Sequence, residues 1–75
     1  MTRKRYIEAA LKAAHYRILN DDEPHFGDVP ALPGAWASGT THEECREKLE
    51  KAIDEWIVIR ENQNLSIPAI DGLQP

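Results

Sequence analysis

The chain has 75 residues, 41% of them hydrophobic and 29% charged, with one cysteine and a formal net charge of −4. That length predicts a single domain over residues 1–75 and excludes a catalytic domain with a separate regulatory one. A chain this short buries only about 60% of its unfolded surface. The lone Cys45 excludes an internal disulfide and any paired-cysteine zinc site. Another subunit or a partner is then the expected source of further burial.

The charge is unevenly spread. Residues 2–17 carry Arg3, Lys4, Arg5, Lys12 and Arg17 against Glu8, a net +4, and residues 18–75 carry a net −8. A phosphate backbone needs a basic stripe, so the acidic body argues against nucleic acid as a direct ligand. A basic partner fits it better, because complementary charge speeds encounter and sets orientation. No apolar run approaches a membrane span, and Glu8 and Lys12 interrupt what would be a signal peptide's apolar core. The expectation is a cytoplasmic protein with a reduced Cys45 thiol and no membrane contact.

Residues 2–14 predict a helix: Tyr6, Ala9, Ala10, Ala13 and Ala14 recur at helical spacing, with Ile7 and Leu11 beside them and Thr2 as a cap. The basic cluster lies at the end disfavoured by the helix dipole, which predicts a short or frayed element. Residues 15–19 predict a strand, 20–24 a turn of Asn, Asp and Pro, and 25–29 a second strand pairing with the first as a hairpin. Pro30-Ala31-Leu32-Pro33-Gly34 is a rigid loop, and residues 35–39 predict a third strand.

Thr40 and Thr41 each precede a glutamate by three residues, so either supplies a capping box for a long helix ending near residue 62. Cys45, Leu49, Ala52, Ile53, Trp56 and Ile57 form its apolar stripe. Glu44–Lys48 and Glu47–Lys51 are spaced i, i+4 with the acid first, the better orientation. Val58 and Ile59 make the last turns apolar nearly all round, so a second face must bury, and these two are the expected homo-oligomer contact, in a dimer or tetramer. Residues 65–68 predict a fourth short strand ended by Pro68. Residues 71–75 form a tail, although Ile70 and Leu73 could dock. The predicted order is α-β-β-β-α-β: a small antiparallel sheet packed against one long helix, in the α+β class. Trp36, Phe26, Leu49, Ile53 and Trp56 are the expected core.

Catalytic signatures are missing. The run from His42 to Arg46 lacks the second histidine of a zinc-protease helix. His42 and Cys45 are spaced i, i+3, but with only His15 and His25 elsewhere they do not make a ligand pattern. Asp21, Asp22 and Asp28 read as turn-forming and solvated residues. The glycines do not form a phosphate loop. Trp36 and Phe26 could stack bases, but without an interleaved Arg or Lys the reading is core packing. No catalytic residue, cofactor or metal is expected.

Phe26, Pro30, Leu32, Pro33, Gly34, Trp36, Gly39, Thr41, Glu43 and Glu44 together follow a strand, Pro-x-Leu-Pro-Gly loop, strand and Glu-Glu helix start. Over residues 15–70 this resembles the HicB-like antitoxin family, with the N-terminal helix additional to the usual start. The resemblance implies a partial ribonuclease-H-like fold without its catalytic carboxylates. It implies an antitoxin that neutralises a small basic RNA-cleaving toxin of the HicA type by covering it. The length leaves no room for the DNA-binding module that many relatives carry, so a short form is expected. Asp21, Asp22, Glu23, Glu43 and Glu47 are the candidate partner contacts. The alternative is a stand-alone oligomeric regulatory or ligand-binding domain with no toxin partner.

Overall fold

The structure, a computed structural model, describes residues 2–75. Its elements are α1 (Thr2–Ala13), β1 (His15–Ile18), β2 (His25–Asp28), β3 (Trp36–Gly39) and α2 (His42–Asn62). The strands form one antiparallel sheet in the order β1-β2-β3, and α2 packs against β2, β3 and α1. This is the predicted α+β class, with the predicted order as far as the second helix. The expected Thr2 side-chain cap falls outside the described residues.

Local chemistry accounts for the ends of α2. Thr41, extended at φ −131° and ψ 163°, accepts the Glu44 N–H at 3.1 Å. Glu44 reaches back to the Thr40 N–H at 3.0 Å, so the box closes one residue early and uses both threonines. At the other end Asn64 takes the left-handed conformation (φ 55°). The Leu65 N–H bonds the Arg60 carbonyl at 2.9 Å and the Asn64 N–H the Glu61 carbonyl at 3.1 Å. That paired arrangement is a Schellman cap.

Tyr6, Ala9, Ala10 and Leu11 of α1 pack with Leu49, Ile53 and Ile57 of α2 in one core. The basic start of α1 does not fray it, because Arg3 pairs with Asp54 at 3.6 Å and with Glu61. The Pro-Ala-Leu-Pro-Gly loop folds inward. Bonds from the Val29 N–H to the Ala35 carbonyl and from the Leu32 N–H to the Val29 carbonyl shape it. Val29, Leu32 and Ala35 are all buried.

The predicted fourth strand does not form. Residues 65–69 join no ladder: Leu65 spends its N–H on the helix cap, and Pro68 has none to offer. The segment instead crosses to α1, where the Tyr6 hydroxyl donates to the Pro68 carbonyl at 2.5 Å. The end of the chain is tied down as well. Asp71 (φ 50°) and Gly72 (φ 73°) make a two-residue turn of the mirror-image type, with reciprocal bonds between Ile70 and Leu73. Ile70 is buried by it.

Candidate functional site

Ladder register sorts the strand residues onto two faces. Tyr16, Gly27 and Ala37 stand in one row facing α2, while Arg17, Phe26 and Ser38 stand in the next row facing away. His15, Asp28 and Trp36 form a further outward row. Gly27 and Gly39 are small because the core is close. A Cβ on Gly27 would lie 2.9 Å from the Tyr16 ring, and one on Gly39 would lie 2.7 Å from the Cys45 backbone nitrogen.

The outward face corrects the expected core. Leu49 and Ile53 are fully buried as predicted, but Trp36 is 56% exposed and Phe26 only half-buried. Their rings stack on each other with centroids 5.8 Å apart and planes 22° apart. Arg17 lies 5.0 Å above the Phe26 ring, so the interleaved cation missing from the linear order is supplied by the neighbouring strand. Trp56 is half-buried: its indole N–H donates to the Pro33 carbonyl at 2.9 Å, and Arg60 covers its ring at 4.6 Å.

The candidate acidic contacts separate into three places. Asp21 and Asp22 stand exposed in the β1–β2 turn. Glu23 is held within the chain, accepting from Ser38 Oγ at 2.9 Å and from Lys48 Nζ at 3.0 Å. The Lys48 bond, with that of Ser38, lowers the Glu23 pKa. The Thr40 backbone N–H does the same for Glu44, which also lies 3.4 Å from Lys48. The Lys48 ammonium is correspondingly raised, chiefly by Glu23. Glu43 and Glu47 are exposed on α2. With Glu50 and Asp54 they follow i, i+4, i+7 and i+11, one face of the helix. Sequence reasoning missed Glu50 and Asp54, although helical spacing alone points to them. Glu47, Glu50, Lys51 and Asp54 line a shallow depression beside Ile7, and a neighbouring one beside Ile7 and Glu50 is bordered by Arg3, Lys4 and Glu8 of α1.

The remaining singled-out residues are structural in their surroundings. Cys45 is buried with its thiol toward the Ala37 carbonyl at 3.6 Å, and burial pushes its pKa up. His42 meets the Tyr16 ring edge-on at 4.7 Å and lies 6.3 Å from His25, while His15 belongs to the opposite face of the sheet. Among the described residues no three His, Cys, Asp or Glu side chains converge as a metal site. Val58 and Ile59 are exposed on the last turns of α2, and Leu65 is exposed just after the helix cap. No helix among the described residues is long and apolar enough to cross a membrane.

The arrangement defines a class: a small two-layer α+β domain with three antiparallel strands, helices on one sheet face and aromatic residues on the other. The chain belongs to the UPF0150-like family, which matches residues 5–68 and so takes in most of α1, the helix that the resemblance had set apart. That family is related to the HicB-like toxin–antitoxin proteins. The chain is similar to the crystal structure of TTHA0281 from Thermus thermophilus, at 32% identity and a TM-score of 0.92 over 100% of this chain and 94% of that one. Among curated proteins, none matches.

Proposed function

We propose that this chain is a HicB-like interaction domain, an antitoxin or an antitoxin-derived protein, acting in the cytoplasm without a chemical step. It neutralises a small basic RNA-cleaving toxin of the HicA type by covering it. The observation that carries this reading is the acidic face of α2. Glu43, Glu47 and Glu50 take part in none of the ion pairs among the described residues, and Glu47 and Glu50 line the depression beside Ile7. Aligned exposed carboxylates attract a basic surface over a distance and orient it, and the apolar Ile7 beside them supplies contact area once it arrives. Further along the helix Asp54 and Glu61 share the Arg3 guanidinium, so Glu43, Glu47 and Glu50 are the carboxylates of this face left outside the ion pairs. Asp21 and Asp22 extend the same sign at the hairpin turn.

Co-expression of the full chain with the short basic reading frame beside its gene tests this. The neighbour alone should arrest growth, and this protein should relieve the arrest and co-purify with it. Replacing Glu43, Glu47 and Glu50 together by lysine should weaken binding by about a hundredfold and flatten its salt dependence. A neighbour that is harmless alone, or remains toxic beside this protein, defeats the proposal. Binding that survives the triple replacement removes α2 as the contact.

A further inference from the structure

The open face of the sheet has a feature that an antiparallel sheet facing water does not need. Its solvent-side positions are normally polar, yet here Phe26 of the central strand, half-buried, is stacked with Trp36 of the edge strand, which is 56% exposed. Both helices contribute to the core on the other side. Trp and Arg are the residue types that most often dominate association energy, and Arg17 lies over the Phe26 ring at 5.0 Å.

Charge identifies the occupant. The ion pairs among the described residues join Arg3 to Asp54 and Glu61, and Lys48 to Glu23 and Glu44. Arg17 and Asp28 take part in none of them, and both are on the open face. This patch therefore balances one cation with one anion on a chain whose net charge is −4. A strongly basic or acidic partner satisfies only half of it, whereas an identical patch turned over satisfies both halves. Two copies at −4 repel each other overall, but on this face the local charge is balanced, so the repulsion does not oppose contact there.

We infer that the open sheet face is a self-association surface, and that two copies of this chain pack sheet on sheet about a twofold axis. Arg17 of each copy meets the partner's Asp28, and the Phe26–Trp36 pairs fill the space between. Packed sheets lie about 10 Å apart, a gap that an arginine and an aspartate span together. A closed twofold contact is self-complementary by construction. It also supplies the burial that a domain of 75 residues with no disulfide lacks. The inference is independent of the antitoxin reading, and it places the homo-oligomer contact on Trp36 in preference to Val58 and Ile59.

Sedimentation of the full chain across the micromolar range tests it, with circular dichroism confirming that each variant is folded. The native chain should be dimeric. Trp36→Ser should weaken the dimer by about tenfold or more. Arg17→Asp and Asp28→Arg should each weaken it, and the double swap Arg17→Asp/Asp28→Arg should recover most of the native affinity, because each new aspartate meets a new arginine. Val58→Ser/Ile59→Ser should leave it intact. A monomeric native chain overturns the inference. So does dissociation by the Val58/Ile59 change with none by Trp36→Ser, or a double swap no better than either single reversal.

Discussion

Over β2 and β3 the two faces of the sheet reverse the usual distribution of side-chain size. The covered face presents Gly27, Ala37 and Gly39 there, with Tyr16 of β1 as its one large ring, and the open face presents Arg17, Phe26, Asp28 and Trp36. The covered face is narrow because α2 comes within van der Waals reach of the strand backbone at Gly39. Bulk on that side comes from the helices and the inserted loop, through Tyr6, Leu32, Leu49 and Ile53. On the strands that α2 approaches this closely, a large aromatic such as Phe26 or Trp36 has room only on the open side.

Substitutions on the two faces should behave oppositely, and the largest effect belongs to the layer beneath the covered face. Leu49→Ala leaves a cavity in a fully buried position and should cost about 2–5 kcal/mol; chemical denaturation would read it directly. Gly39→Ala comes next. Its Cβ would meet the backbone of Cys45, which cannot move aside as a flexible side chain does, and a loss of about 1–3 kcal/mol is expected from the same measurement. Thr41→Ala removes the acceptor for the Glu44 N–H and should cost about 1 kcal/mol, seen as a fall of several degrees in the thermal midpoint. Trp36→Ser on the open face should change the stability of the dilute chain by less than about 0.5 kcal/mol. A loss as large as that of Leu49→Ala would end the distinction between the faces.

The smallest expected effect concerns pH. Glu23 and Glu44 have lowered folded pKa values, through Lys48 and the Thr40 N–H respectively. A lowered carboxyl pKa means that the folded state binds its proton less readily than the unfolded one. Its contribution is present above the unfolded carboxylate pKa and disappears as pH falls through the folded value. Lys48, raised by the same pairs, adds stability below its unfolded pKa and loses it as pH rises through the folded value. All three groups are exposed to solvent, so added salt should diminish the effect. Glu23→Gln should lower stability slightly at neutral pH, leave it nearly unchanged at acid pH, and so flatten the acid side of the profile read by denaturation at a series of pH values.

Much of the architecture is legible in the residue order. The apolar stripe from Cys45 to Ile57, the threonine box and the Asn cluster delimit α2 closely, because helix ends are decided by local hydrogen bonding. The hairpin and the Pro-rich loop are legible for the same reason. The site is less so. Size alone points Trp36 and Phe26 to the core, whereas their side of the sheet depends on register, which joins residues far apart in sequence. Arg17 reaches Phe26 only through that register. Residues 65–68 have a strand-like pattern but join no edge; the Leu65 N–H is taken by the helix cap and the Pro68 carbonyl by Tyr6. Asp71-Gly72 is a recognised turn dipeptide, yet only Ala69 and Ile70 stand between it and Pro68, too short a flank to suggest a hairpin from the residue order.

The tie between the first helix and the last residues has a consequence for the order of folding. Tyr6 bonds to Pro68 across 62 positions, and Arg3 to Glu61 across 58. During synthesis the first helical segment leaves the ribosome well before the residues it docks against. The hairpin, whose contacts are local, is free to close in the meantime. The basic segment 2–13 therefore stays undocked until the chain has emerged as far as Pro68. A rise in helical protection once residue 68 has emerged, read by hydrogen exchange on chains stalled at increasing lengths, would mark the moment when the two segments meet.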